Sequence, residues 1–215
     1  MPFTHILYDL DATLYASDNP LWANISYRIG DYLRTFLQLS EAEAAPLQRH
    51  YYHTYGTTLR GLQANHQIDA RQYLDYVHDL PVRDYVQPDP ALRQALLHLQ
   101  LPKWIFTNSD QAHTQRVLDA LGIADCFDGL ISIEALNWEC KPNRGAYETA
   151  LAFTGETDPR KIIFLDDSPR NLQGARDFGF YTILVGATDP HPAARLSILR
   201  PHDLAAALPE IQSWN

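Results

Sequence analysis

The chain has 215 residues, of which 46% are hydrophobic and 20% are charged, and its formal net charge is −9 at pH 7. This composition is that of a globular protein with a sizeable core, and the negative charge argues against a nucleic-acid polymer or an anionic membrane as the main partner. Two cysteines give no disulfide framework, and no apolar run is long enough to cross a bilayer. We therefore expect a cytoplasmic protein.

A mostly apolar run over residues 3–8 predicts a first strand, short and hydrophobic enough to be buried on both faces of a parallel sheet. Two carboxylates follow it with one residue between them, Asp9 and Asp11. Ionised acids at the end of a buried strand are costly unless a metal, a lysine or hydrogen bonds compensate them. Taken alone, the pair also fits an ordinary turn, where Asp is common.

From about residue 21 to residue 83, apolar and aromatic residues recur at helical spacing, and no alternating strand pattern is found. Ser40 and Glu43 have the spacing of a capping box that opens one of these helices. The region predicts an all-helical module inserted directly after the first strand. His50 and His53 have the spacing of a shared metal site, but the absence of a third ligand nearby favours solvent-exposed histidines.

Within the helical region lies the stretch Tyr55-Gly56-Thr57-Thr58-Leu59-Arg60-Gly61-Leu62. Two glycines, two threonines and an arginine are typical of a shaped loop that carries hydrogen-bond donors. A plain connection between two helices, capped by glycine, explains the same residues equally well. Both interpretations stay open from the residues alone.

The second half of the chain alternates between strand and helix patterns. Strands are predicted at residues 103–106, 129–133, 161–165 and 181–185, with helices between them. This alternation predicts right-handed crossovers and a parallel sheet with helices on both faces. The tail is rich in Pro, Ala and Leu, and we expect it, with Trp214 near its end, to close the fold.

Polar side chains follow these strands at the same end of the predicted sheet. Thr107 and Asn108 follow the second strand, Lys141 lies in the loop after the third, and Asp166 and Asp167 follow the fourth. Ligands bind beyond the carboxyl ends of the strands in such sheets, so we expect these groups to converge with the acids of the first strand. Four carboxylates in one crevice need a counter-charge, and Mg²⁺ prefers oxygen ligands.

The absence of several motifs from the sequence argues against other chemistries. No cluster of histidines and cysteines supports zinc. Neither G-x-x-x-x-G-K-[ST] nor G-x-G-x-x-G is present, which argues against a Walker-type NTPase and a dinucleotide site. The sequence also lacks G-x-S-x-G, the motif of serine hydrolases with a nucleophile elbow.

Four segments, taken in this order over nearly the whole chain, resemble the motifs of the haloacid dehalogenase (HAD) superfamily of phosphohydrolases. They are an acid pair after a strand, a strand ending in Thr, a Lys-Pro pair and a strand ending in paired acids. In this sequence they read Asp9-Leu10-Asp11-Ala12-Thr13, Ile105-Phe106-Thr107-Asn108, Lys141-Pro142 and Phe164-Leu165-Asp166-Asp167-Ser168, with Asn171 downstream. The family commonly has Asn where this chain has Ala12.

The resemblance implies an α/β fold, a Rossmann-like doubly wound parallel sheet with an inserted all-helical cap. The core domain would span residues 1–16 and 86–215, and the cap domain residues 17–85.

The resemblance also implies a role for each motif residue. Asp9 would be the nucleophile that forms an aspartyl-phosphate, Asp11 the general acid and base, and Thr107 and Lys141 would hold the phosphoryl oxygens. The cofactor Mg²⁺ would be bound by Asp9, by the backbone carbonyl of Asp11 and directly by Asp167, with Asp166 acting through water.

The implied activity is hydrolysis of a small-molecule phosphomonoester, by a monomer or weak dimer. Asp11 favours a phosphoester over a haloacid, because a departing halide needs no protonation. The cap stretch resembles the pyrimidine 5′-nucleotidase subgroup, which implies nucleoside 5′-monophosphates such as UMP and CMP as substrates. Substrate would then be bound by Asn108, Tyr55, Thr57, Thr58 and Arg60. The alternatives are a sugar-phosphate or broad phosphatase, a 2-haloacid dehalogenase and a catalytically silent binding protein.

Overall fold

Six parallel strands form one sheet in the computed structural model, which describes residues 2–212. The strands are β1 (His5–Tyr8), β2 (Lys103–Phe106), β3 (Gly129–Ile131), β4 (Ile162–Asp166), β5 (Tyr181–Val185) and β6 (Leu196–Ile198). Their order across the sheet is β3-β2-β1-β4-β5-β6, so β1 lies between the strands that carry the second and fourth motifs. Trp214, and with it part of the prediction for the tail, lies outside the described residues.

Ten α-helices are found within residues 2–212. They are α1 (Pro20–Phe36), α2 (Glu41–Tyr55), α3 (Thr58–Asn65), α4 (Ala70–Val77), α5 (Val82–Tyr85), α6 (Pro90–His98), α7 (Gln111–Leu121), α8 (Arg144–Thr154), α9 (Pro169–Phe178) and α10 (Leu204–Gln212). In this part of the chain, no helix is both long enough and apolar enough to span a bilayer.

The strand β1 is buried on both faces, which explains its continuous apolar sequence. Ile6 and Tyr8 pack into a hydrophobic cluster with residues of α1, α6 and α7, whereas Leu7 packs on the opposite face with residues of α8 and α9. The neighbouring strand β4 repeats this alternation with Ile163 and Phe164. Since side chains alternate across a strand, both faces of the sheet carry a hydrophobic core, and the predicted doubly wound α/β fold is confirmed.

The helices α1–α4 share a third hydrophobic cluster. The rings of Tyr32 and Tyr73 meet edge to face in it, with their centroids 4.9 Å apart. Ile133 and Cys140, from the segment after β3, complete this cluster, so the helices rest on that segment. Residues 17–85 contain helices and no strand, as predicted. The division of the chain into a core domain and a cap domain stays a prediction.

Some predicted bounds in the second half of the chain were wrong. The third strand, predicted over residues 129–133, ends at Ile131, because the backbone N–H of Ile133 bonds to the loop after β2 instead. β4 runs one residue further than predicted, so Asp166 is itself part of the sheet and pairs with β5. The strand β6 was missed, since its three residues lie in a tail without a strand pattern.

The stretch after α2 is a short connection between helices and not an extended loop. Gly56 and Thr57 alone join α2 to α3, and Gly56 has a φ of +98°. A Cβ at Gly56 would lie 2.8 Å from Cys140 Sγ and 3.0 Å from the Lys141 carbonyl oxygen. Thr57 caps α3 by accepting the backbone N–H of Arg60 at 3.2 Å. The connection therefore packs directly on the loop that holds Lys141.

We expect Gly61→Ala to destabilise the protein. A Cβ at this position of α3 would lie 2.2 Å from Tyr51 Cγ of α2. Overpacking costs about 1–3 kcal/mol, which exceeds the roughly 1 kcal/mol that Ala gains over Gly in a helix. Gly145→Ala in α8 is the matched control, because its nearest neighbour is the flexible Glu139 Cγ at 3.4 Å. Urea unfolding measures both variants, and equal free energies of unfolding would contradict the prediction.

Candidate active site

Lys141 joins two of the predicted acids by direct ion pairs. Its Nζ lies 2.7 Å from Asp9 Oδ1 and 2.8 Å from Asp166 Oδ2, and it donates a third hydrogen bond to the Phe106 carbonyl at 2.8 Å. These contacts use all three donors of the ammonium group. The partners come from the carboxyl ends of β1, β4 and β2, which are adjacent in the sheet, so the predicted convergence of these residues is observed.

The charge on Lys141 is sustained by its partners although the side chain is only 1% exposed. Burial lowers the pKa of Lys141, but Asp166 and Asp9 outweigh burial and raise this pKa above its ordinary value. For Asp9, burial raises the pKa, and the charge of Lys141 opposes that rise only in part. A single ammonium group therefore leaves negative charge in this site without full compensation.

Three carboxylates lie close enough together to hold a metal ion. Oxygen atoms of Asp9, Asp166 and Asp167 all lie within 4.8 Å of one another. Burial, followed by the charge of Asp166, raises the pKa of Asp167 to about 7. An oxygen-only donor set with an excess of negative charge fits a hard divalent cation such as Mg²⁺. Asp9, Asp166 and Asp167, three of the four residues predicted to bind the metal, thus form a chemically suitable group.

The Asp11 carboxylate accepts three hydrogen bonds. Oδ1 accepts from the Tyr15 hydroxyl at 2.7 Å and from His113 Nε2 at 2.8 Å, and Oδ2 accepts from the Ser109 hydroxyl at 2.6 Å. Burial raises the pKa of Asp11, but the charge and hydrogen bond of His113, with the hydrogen bond of Ser109, outweigh burial and lower this pKa. The carboxylate is therefore well stabilised in its ionised form and fixed in orientation.

Most of the residues that support the two acids of the first motif were not predicted from the sequence. Thr13 donates its hydroxyl to Asp9 Oδ2 at 3.1 Å and accepts the backbone N–H of Asp167 at 3.1 Å. The position of Thr13 in the first motif was the one feature of the sequence that could have indicated this role. The partners of Asp11 carried no comparable signal, although Ser109 and His113 are four residues apart at the start of a predicted helix.

The residues at the end of β2 organise the loop that carries Lys141. The Asn108 side chain pairs with the Lys141 backbone in both directions, donating to its carbonyl at 3.1 Å and accepting its N–H at 2.9 Å. The peptide bond from Lys141 to Pro142 is cis. Thr107 is 1% exposed, and its hydroxyl accepts the backbone N–H of Ser109 at 3.0 Å.

A cavity of about 440 Å³ opens between the strand ends and the helices α1–α4. Motif residues form one end of it, among them Asp9, Asp11, Thr107, Asn108 and Asp167. Residues 17–85, the helical segment, supply most of the remaining wall, which is mainly apolar and aromatic. These residues are Trp22, Ile25, Ser26, Ile29, Ala45, Gln48, Arg49, Tyr52, Gly56, Thr57, Thr58, Leu59, Tyr73, Leu74, Val77 and His78.

The structure separates the four residues of the helical segment that the sequence predicted to bind substrate. Thr57 and Thr58 line the cavity, whereas Tyr55 and Arg60 are not part of its lining. The Tyr55 hydroxyl instead accepts a hydrogen bond from the Asn65 side chain at 3.0 Å. The aromatic and polar side chains that α1 and α2 contribute to the cavity were not predicted from the sequence.

The sheet order and the cluster of acids around one lysine are those of a haloacid dehalogenase-like hydrolase. Residues 3–179 match the sequence model of that family, and the chain belongs to it, as the motifs predicted. Phosphate metabolism protein 8 of Saccharomyces cerevisiae is 34% identical over 187 residues. This match takes in 80% of the chain and 58% of the length of the yeast protein.

Solved structures share the fold over almost the entire chain. The HAD-hydrolase YfnB of Bacillus subtilis, in a structure bound to magnesium, has a TM-score of 0.65 at 14% identity, covering 97% of this chain and 100% of that one. The HAD phosphatase of Thermococcus onnurineus has a TM-score of 0.64 at 19% identity, with 95% and 97% covered. L-2-haloacid dehalogenase of Xanthobacter autotrophicus has a TM-score of 0.61 at 18% identity, with 96% and 98% covered.

The raised pKa of Asp167 predicts that the metal-free protein becomes less stable toward unfolding as the pH rises. The folded state binds the extra proton between the ordinary pKa of 3.8 and the folded value of about 7, so stability falls as the pH rises through this window. Asp167→Asn removes the titration. We expect the stability advantage of this variant over the wild type to grow by about 2 kcal/mol between about pH 5 and about pH 8.

Urea unfolding in the presence of a chelator measures this difference at both pH values. Asp177→Asn, at an exposed position of α9, is the matched control and should show no such change. If the free energy of unfolding of Asp167→Asn differs from that of the wild type by the same amount at the two pH values, the prediction is contradicted.

Proposed function

We propose that this protein is a Mg²⁺-dependent phosphomonoester hydrolase that works through an aspartyl-phosphate on Asp9. The contact of Lys141 Nζ with Asp9 at 2.7 Å, beside the Asp166 and Asp167 carboxylates, is the observation that carries the proposal. A carboxylate paired with an ammonium group is available as a nucleophile. The neighbouring acids give a metal-binding group next to it.

Asp9 attacks the phosphorus atom, and the alcohol leaves with the electrons of the broken P–O bond. Lys141 holds one carboxylate oxygen of Asp9 and Thr13 holds the other, so the attacking group is fixed before substrate arrives. Covalent catalysis divides one difficult displacement into two easier ones. Water then hydrolyses the aspartyl-phosphate, which releases phosphate and regenerates Asp9.

Asp11 moves the protons in both steps. In its protonated form it gives its proton to the departing alkoxide oxygen, and the carboxylate that remains takes a proton from the water that attacks the aspartyl-phosphate. The hydrogen bonds from Tyr15, Ser109 and His113 support the ionised form that the second step needs. The presence of this acid also favours a phosphoester over a haloacid, since a halide leaves without protonation.

Asp9, Asp167 and the backbone carbonyl of Asp11 would hold Mg²⁺, with Asp166 acting through water. Asp166 is fully buried and its two oxygens accept hydrogen bonds from Lys141 and Asn171, which supports the indirect role. When bound, the ion offsets the negative charge of the phosphoryl oxygens. The Thr107 hydroxyl can donate to those oxygens, and Lys141, whose three hydrogens are already used, contributes its positive charge, with Asn108 holding the lysine loop in place.

The leading substrate class is the nucleoside 5′-monophosphates, UMP and CMP among them. Support comes from the cavity beside the acids, whose wall combines aromatic rings such as Trp22 and Tyr52 with the polar side chains of Gln48 and Arg49. Rings suit a planar base, and amide and guanidinium groups suit its polar edge. Thr57 and Thr58 are further proposed contacts.

Tyr55 and Arg60 remain proposed substrate residues on the resemblance alone, because neither lines the cavity. We further propose that residues 17–85 act as a cap domain over the site and that the protein works in the cytoplasm. Both cysteines are free and buried, which supports a reducing compartment. Sugar phosphates are the second substrate class that we retain.

Phosphate release tests the proposed reaction. With Mg²⁺ the wild type should hydrolyse p-nitrophenyl phosphate, Asp9→Asn should release no measurable phosphate, and Asp11→Asn should lose about 10²–10⁴-fold in kcat. Asp18→Asn, at an exposed position, is the matched control and should retain activity. In a panel of metabolite phosphates, UMP and CMP should have higher kcat/KM than hexose phosphates.

Each contrary outcome supports a defined alternative. Faster turnover of hexose phosphates would favour a sugar phosphatase. Turnover of 2-chloropropionate would favour a dehalogenase, and a wild type that is inert toward every ester would favour a binding protein.

A matched pair of variants on α1 tests the aromatic wall of the cavity. Trp22→Ala should raise KM for UMP about 3–10-fold, because aromatic stacking is worth about 0.5–1.5 kcal/mol. Tyr27→Ala is the control, since Tyr27 is also exposed on α1 but does not line the cavity. Steady-state kinetics measure both, and an equal KM for the two variants would count against base stacking on Trp22.

A further inference from the structure

One histidine, His113, bonds to Asp11, and a second, His78, lies behind it. The mechanism proposed above uses His113 only as a hydrogen-bond donor and gives His78 no role. His113, in the first turn of α7, reaches Asp11 Oδ1 with its Nε2 at 2.8 Å. The ring of His78 stacks on the ring of His113, with centroids 4.2 Å apart and planes 17° from parallel. His113 is fully buried and is not part of the cavity wall, so it acts on substrate only through another residue.

Asp110 fixes the position of both rings. It is the N-cap of α7, where its Oδ1 accepts the backbone N–H of His113 at 2.7 Å. Its Oδ2 is hydrogen-bonded to His78 Nδ1. His78 follows the last residue of α4, so a residue of the helical segment and a residue of the sheet-flanking helix α7 are clamped by one carboxylate.

Within the described part of the chain, only one of the two ring nitrogens of His113 has a hydrogen-bond partner, and that partner is Asp11. Its Nδ1 is buried and has no hydrogen-bond partner among residues 2–212. An unsatisfied buried nitrogen is unfavourable, and an apolar side chain would fill the same space without that cost. The advantage of histidine over an apolar side chain at position 113 is therefore the hydrogen bond from Nε2 to Asp11.

The three hydrogen-bond donors to Asp11 differ in how firmly they fix the orientation of its carboxylate. The hydroxyl hydrogens of Tyr15 and Ser109 rotate, so each can turn between donating and accepting. The Nε2–H of His113 lies in the plane of a ring that is held by the stack and by α7. Nε2 is the donor to the ionised form of Asp11, because a carboxylate only accepts.

We propose that His113 is a positioning residue for Asp11, which it holds, with His78 stacked behind it, in the orientation from which Asp11 serves the leaving-group oxygen. This role rests on the proposed phosphatase function. Proton transfer in a transition state depends on the alignment of the donor with the accepting oxygen. Loss of the His113 contact should therefore matter most for leaving groups that need protonation.

Two buried amides give a matched test. The amide nitrogen of His113→Gln lies near the position of Nε2 and reaches Asp11, whereas that of His113→Asn lies near the position of Nδ1 and does not. We would measure kcat/KM, which reports formation of the aspartyl-phosphate, for p-nitrophenyl phosphate, phenyl phosphate and β-glycerophosphate. The leaving groups of these esters are increasingly basic in that order.

For His113→Asn we expect kcat/KM to fall about 10–100-fold with β-glycerophosphate and less than about 3-fold with p-nitrophenyl phosphate. His113→Gln should recover most of the loss. Equal losses for all three esters in His113→Asn, or no recovery in His113→Gln, would overturn the positioning role and leave the proposed phosphatase function intact. A wild type inactive toward all three esters would overturn both.

His78→Ala provides a second test if His113→Asn does not fold. This variant removes the stacked ring and leaves His113 unchanged. A loss of kcat/KM that grows with the basicity of the leaving group supports the role, and a uniform loss overturns it.

Discussion

The contact of one ammonium group with two carboxylates is the interaction on which the site depends. Lys141 is almost fully buried, and it is tolerated there because Asp9, Asp166 and the Phe106 carbonyl take all of its hydrogens. Removing Lys141 would leave the buried acids without their counter-charge, which is far more costly than losing a surface ion pair. The sheet order serves this contact, since it places β1 between β2 and β4.

Much of the fold is predictable because the strands are buried on both faces. Such strands appear in sequence as apolar runs bounded by polar residues, which is why four of the five predicted strands start within one residue of their observed positions and β1 starts two residues later than predicted. β6 is different. It has three residues, two of them only half-buried, and its pairing with β5 depends on tertiary packing and not on a local pattern.

The residues of the site likewise fall into those that the sequence predicts and those that it does not. Asp9, Asp166 and Lys141 were predictable because strand ends in a parallel sheet meet at one edge. His113 and His78 were not, since their contact depends on where α4 and α7 meet, which no local pattern encodes. The cavity wall is a similar case. Tyr55 was predicted to face substrate and lies outside the wall.

Gly56 lies against the loop that carries the buried lysine. The helical segment touches the lysine loop there with no room for a side chain, so a larger residue would force the two apart and uncover the carbonyl of Lys141 and the Cys140 sulfur. Water that enters at this seam raises the local dielectric, and the attraction between ammonium and carboxylate weakens accordingly. The absence of a side chain at position 56 thus helps to keep water away from the charge cluster and its attraction strong.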